Sequence, residues 1–118
     1  LALWAAANIS KVKNVVALAP VSDLQMTEEL HLDKGAAADF LGCPASTRPD
    51  LDPMTLSYKD VELIVLQGGQ DIRVPVEMNR SFSQRHTRVK YLEFPDIGHF
   101  EVIDPTSAFW IHEAGKLL

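Results

Sequence analysis

The sequence predicts an α/β fold, a parallel sheet of about three strands with helices packed against it. Three observations carry this reading. Two short runs, the continuous apolar VVALA at 15–19 and the largely apolar VELIVLQ at 61–67, each stop at chain breakers, Pro20 after the first and Gly68 with Gly69 after the second. Apolar runs of that length, bounded by turn residues, are what strands buried on both faces look like. A third run, RVKYLEF at 88–94, alternates more and ends at Pro95, as suits a strand nearer the sheet edge. Between the last two lies VPVEMNRSFSQRH, with Pro75 at a first helical position and Val76, Met78 and Phe82 supplying apolar contacts. The 20 residues from Gly68 to Thr87 exceed the ~10–12 that a crossover requires, so the strands it joins are parallel.

The remaining elements follow in chain order. LALWAAAN at 1–8 is apolar on every face except at Asn8, and a helix of that kind is expected to be buried on all sides. No N-cap residue precedes it, so the 118 residues are expected to be a piece of a longer protein, one incomplete domain whose first strand is at about 14–19. The connection from 21 to 60 is less regular. GAAADFLG reads as a short helix capped by Gly42, CPASTRPDLDP reads as loop, and 24–57 as a whole reads as a variable insertion. At the end, PTSAFWIHEAGKLL is a closing helix with Asp104 as N-cap and Pro105 in its first position, anchored to the sheet by Phe109 and Trp110.

Composition narrows the function. The chain is 47% apolar and 23% charged, the balance of a globular domain with one modest core. Its net charge is −5, and its lysines and arginines are interspersed with acids, which argues against a nucleic-acid partner. No apolar run approaches the roughly 20 residues of a spanning helix, so membrane insertion is not expected. The single cysteine, Cys43, cannot form an internal disulfide, which leaves a reducing cytoplasm as the default compartment.

In an open parallel sheet, ligands and reactive groups gather beyond the carboxyl ends of the strands. Asp23 follows the first run, Asp71 the second and His99 the third. A right-handed crossover makes the second and third strands neighbours, which brings Asp71 and His99 out side by side. Imidazole titrates near neutrality, and a carboxylate bonded to one ring nitrogen fixes the tautomer and stabilises the imidazolium formed on proton transfer. Gly69 and Gly98 precede these residues and permit backbone angles that other residues avoid. Asp23 is the alternative acid, or else a turn or N-cap residue, and Phe100 either lines a substrate pocket or packs. His31, His86 and His112 are read as surface residues, His31 with Asp33 has no metal-site spacing, and Cys43 is read as a small buried hydrophobe.

Taken together, LALWAAA, VVALAPVSDL, VELIVLQGGQDIRVPVEMNRSF and VKYLEFPDIGHFEVIDP resemble the C-terminal half of an α/β-hydrolase, in the esterase and prolyl-oligopeptidase-like branch; 25–57 match least. The resemblance implies that Asp71, in a D-x-x-V-P context ending at Pro75, is the acid of a Ser-His-Asp triad and that His99, after Gly98, is its base. The family's serine lies in G-x-S-x-G, which does not occur here. Of the upstream serines, Ser10, Ser22, Ser46 and Ser57, only Ser22 follows a strand, and its flanks Pro20 and Leu24 lack the small residues of the sharp turn. The resemblance therefore implies a nucleophile a few residues before Leu1. It implies a parent that cleaves an ester, thioester or peptide bond in a small-molecule or peptide substrate without a cofactor, and a chain that needs its N-terminal half or another chain to act. The alternative is a non-catalytic binding or assembly module of the same fold.

Overall fold

The three apolar runs form one sheet in a computed structural model that describes residues 1–117. Strands β1 (Asn14–Leu18), β2 (Glu62–Gly68) and β3 (Lys90–Phe94) lie in the order β1-β2-β3, all parallel, with Val16 opposite Ile64 and Leu66 opposite Leu92. Among the described residues six α-helices accompany them: α1 (Ala2–Asn8), α2 (Leu24–Glu29), α3 (Ala36–Leu41), α4 (Val76–Arg85), α5 (His99–Ile103) and α6 (Ala108–His112).

Strand β2 is central because alternate side chains serve two cores. Leu63 and Val65 point to the face where α1 and α4 deliver Leu3, Ala6 and Phe82, and Tyr58 and Val89 close that layer. Ile64 and Leu66 point to the other face, under Val102 of α5, Phe109 of α6 and Ala114. Helices on both faces of a parallel sheet make this an α/β arrangement. Phe82 is fully buried, with the Tyr58 ring edge-on at 5.5 Å. At ~25 cal/mol per Å², burying a side chain of that size is worth about 1.5–3 kcal/mol.

Several expectations are corrected. Strand β1 is an edge, paired only with β2, and Val16 is 37% exposed, so its continuous apolar run does not reflect burial on both sides. In α1 only Leu3 and Ala6 are buried. The closing helix does not begin at Pro105. Asp104 Oδ1 instead accepts from the Thr106 N–H at 2.8 Å and the Thr106 hydroxyl at 2.7 Å, forming an Asx turn, and the α6 cap is Ser107. Trp110 Nε1 donates to the Val102 carbonyl at 2.6 Å and Phe109 meets Phe94 edge-on at 4.6 Å, so the two aromatics do anchor this segment. Pro75 caps α4 instead of occupying its first turn. His86 is not a surface residue: it packs tilted against Phe82 at 4.7 Å, edge-on to Tyr58 at 5.0 Å, and its Nε2 lies 3.1 Å from the Met54 carbonyl. Burial holds His86 below the usual histidine range.

The irregular connection is more ordered than its sequence suggests. Helix α3 ends at Gly42 in the left-handed conformation (φ 66°), as expected, whereas α2 and short 3₁₀ turns at Ala45–Thr47 and Pro53–Thr55 fall where the sequence reads as loop or turn. Buried Asp52 pins the connection by accepting from the Leu24 and Met54 N–H groups, each at 3.1 Å. Cys43 is half-buried, its thiol 3.6 Å from the Leu41 carbonyl. Among the described residues no helix is long and apolar enough to cross a membrane.

Candidate functional site

Beyond the carboxyl ends of β2 and β3 the sheet pairing continues into the loops. The Gly69 N–H donates to the Phe94 carbonyl at 2.7 Å and the Gln70 N–H donates to the Ile97 carbonyl at 2.9 Å. This lateral zipper needs close backbone approach. A β-carbon at Gly68 would fall on the Ile97 carbonyl and lie 2.7 Å from the Gly98 carbonyl, and one at Gly69 would lie 2.8 Å from the Pro95 Cα. The two glycines thus act by absence of bulk. Neither Gly69 nor Gly98 has a positive φ, which corrects the expectation of special backbone angles there.

The zipper sets Asp71 against His99, the first residue of α5. His99 Nδ1 lies 2.8 Å from Asp71 Oδ2, with the Asp71 side chain fully buried and that of His99 18% exposed. Asp71 Oδ1 accepts from the Arg73 N–H at 2.8 Å and the Val74 N–H at 2.9 Å, while Oδ2 also accepts from Gln67 Nε2 at 3.1 Å. Every other group bonded to this carboxylate is an N–H donor, so neutral His99 carries its proton on Nδ1. Nε2 is then the basic nitrogen. It makes no hydrogen bond among the described residues, and because no buried side-chain nitrogen or oxygen there lacks a partner, it is open to solvent.

The ring borders a cleft of ≈600 Å³ whose walls include Leu18, Val21, Ile72 and Phe100. Phe100 is 59% exposed, edge-on to His99 at 5.5 Å, with the Arg73 guanidinium 5.8 Å from its ring centre. It lines the cleft instead of packing into the core. A larger, open depression of ≈840 Å³ at the opposite end of the strands, bordered by Lys13, Lys59 and Lys90, contains no histidine.

Asp23 does not join the pair. Its carboxylate accepts from the Met26 N–H at 2.8 Å and so caps α2. Ser22 is fully buried, and its hydroxyl donates to Asn79 Oδ1 at 2.6 Å. The one hydroxyl in the cleft wall, that of Thr27, is committed to the Asp23 carbonyl at 2.6 Å. No serine or cysteine lines the cleft, and no cluster of metal-ligating side chains occurs among the described residues. The arrangement can accept a proton at Nε2 and stabilise the resulting imidazolium through Asp71. It offers no nucleophile of its own. Two buried residues escaped the sequence reading, Gln67 and Asn79, both fully buried and hydrogen-bonded to each other at 2.6 Å.

Comparison of the chain with protein-family models, with curated proteins and with solved structures yields no match.

Proposed function

We propose that this chain supplies the acid and base of a serine hydrolase site, in an incomplete domain of α/β-hydrolase type, and that the serine and the oxyanion donors come from outside the 118 residues. One observation carries the reading: a buried carboxylate, saturated with donors, bonded at 2.8 Å to the Nδ1 of a histidine that lines a cleft and whose Nε2 has no partner among the described residues.

In the proposed reaction, His99 Nε2 takes the proton of a serine hydroxyl as that oxygen attacks an ester, thioester or peptide carbonyl. The imidazolium then returns the proton to the leaving group, and a water molecule releases the acyl group by the same sequence. Asp71 keeps the ring in register and offsets the positive charge without taking the proton itself. No step requires a metal or cofactor.

The test is to express the chain together with the segment that its gene encodes directly before Leu1 and to follow p-nitrophenyl ester hydrolysis. The reading expects turnover that His99→Ala abolishes, and none from residues 1–118 alone. Turnover by residues 1–118 that Ser22→Ala removes contradicts it. The second reading, a non-catalytic module that assembles with another chain, draws on the unpaired outer edge of β1 with Val16 exposed. It expects restored sheet pairing but no His99-dependent hydrolysis.

A further inference from the structure

Behind Asp71 runs a buried polar chain that the proposed chemistry does not by itself require. The Ser22 hydroxyl donates to Asn79 Oδ1 at 2.6 Å; Asn79 Nδ2 donates to the Pro20 carbonyl at 3.0 Å and to Gln67 Oε1 at 2.6 Å; Gln67 Nε2 donates to Asp71 Oδ2 at 3.1 Å. Ser22, Asn79 and Gln67 are each fully buried. The chain ties together the loop after β1, the last buried turn of β2, the inner face of α4 and the acid of the site.

Its bonds all point one way. The Gln67 amide group lies against three acceptors, the Gly68 carbonyl at 3.1 Å, Asp71 Oδ2 at 3.1 Å and the Val74 carbonyl at 3.5 Å, while its oxygen faces the Asn79 amide. Reversing Gln67 would set its oxygen against all three acceptors and its amide against a second amide. Asn79 is fixed in the same manner, since Pro20 offers only a carbonyl and the Ser22 hydroxyl takes the remaining oxygen. Neither amide can turn over without stranding several buried groups, each costing about 1–3 kcal/mol.

We infer that Gln67, held by Asn79 and Ser22, is a positioning residue that clamps Asp71 Oδ2 and thereby keeps the proton of neutral His99 on Nδ1. This rests on the proposed role of His99 as base, yet it concerns the tautomer and not turnover. Of the three acceptors around the Gln67 amide, two are backbone carbonyls and the third is the carboxylate oxygen that the histidine uses. Gln67 ends there, at the last buried side chain before the glycine zipper.

The test is ¹⁵N NMR of the His99 ring in the 118-residue chain. The unmodified protein should show neutral His99 mainly as the Nδ1–H form, and the Gln67 side-chain amide signals should shift as His99 is protonated. Gln67→Met keeps the side-chain length but removes donor and acceptor; the Nδ1–H majority should be lost in it, and partly lost in Asn79→Leu. A folded Gln67→Met protein with an unchanged tautomer overturns the inference. If both variants fail to fold, the unmodified chain decides: Gln67 amide signals indifferent to His99 protonation overturn it as well. Either failure leaves the hydrolase reading standing, because that reading is tested by ester turnover.

Discussion

The carbonyl of Ile97 accepts the N–H of Gln70 at 2.9 Å, and this bond joins the loop that carries Asp71 to the turn that carries His99. The approach is possible only because Gly68 has no side chain, since a β-carbon there would strike the same Ile97 carbonyl. Backbone atoms cannot swing aside as a long side chain can. Gly68→Ala should therefore cost about 1–3 kcal/mol, as overpacking in a tight interior does, and should lengthen the bond between Asp71 and His99. Urea unfolding gives the first quantity and loss of the His99 Nδ1–H resonance reports the second; a stable protein with that resonance intact would contradict the zipper.

Asp71→Asn should fold less stably and should invert the histidine, since the side-chain atom that replaces Oδ2 meets both His99 Nδ1 and the Gln67 Nε2 that donates to Oδ2 at 3.1 Å. The Arg73 and Val74 N–H groups hold one side-chain oxygen at 2.8 and 2.9 Å, so the asparagine oxygen belongs there and its NH₂ must face His99. His99 Nδ1 then accepts, and the proton moves to Nε2, where it blocks the base. Ring ¹⁵N shifts distinguish the two forms. If the proposed hydrolase reading holds, the same change in the extended protein should lower turnover by about 10⁴-fold, the size seen when a triad histidine is held in the wrong tautomer.

Ser22→Ala tests the one serine that follows a strand. Because its hydroxyl is buried and donates to Asn79, removing it leaves Asn79 Oδ1 without its donor, a loss of about 1–3 kcal/mol in unfolding free energy. Hydrolysis by the extended protein should fall per folded molecule only as far as the loosened Gln67 clamp lets the His99 tautomer shift, and no further than in Asn79→Leu. A selective loss of turnover with normal stability would make Ser22 a nucleophile.

Acid should weaken the fold through His86. Burial is the main cause of its lowered pKa, with Arg85 adding to it and the Met54 carbonyl opposing it. Below the unfolded value of about 6.5 the unfolded chain binds a proton that the folded chain resists. Stability is therefore full above that pH and declines as pH falls through it towards the folded value. Urea midpoints at pH 7.5 and 5.5 should differ more in the native protein than in His86→Leu; equal differences would show that other groups govern the acid response.

Much of this architecture is legible in the sequence because burial leaves a periodic trace. The runs at 61–67 and 88–94 lie within two residues of β2 and β3, and the aspartate and histidine after them are the pair that meets. Strand β1 is legible in position but not in environment, since an apolar run does not say what lies beside it, and here one edge has no neighbour. The break before α6 is hidden because Asp104 followed by Pro105 serves an Asx turn as well as a helix start. Gln67 and Asn79 carried a signal that was readable. A glutamine follows four consecutive apolar residues, 63–66, in the strand run, and Asn79 lies three residues from both Val76 and Phe82 on the stripe that α4 buries. Polar residues at such positions must be hydrogen-bonded inside the fold. Which partners they find depends on the crossover bringing Pro20 and Asp71 to the same place, and local spacing does not encode that.

The most direct measurement is the coding sequence immediately upstream of Leu1. The account predicts a G-x-S-x-G motif ending within a few residues of Leu1, which would place a serine on the turn before α1. A stop codon or a serine-free turn there would contradict it, leaving Asp71 and His99 as a hydrogen-bonded structural pair of a binding module.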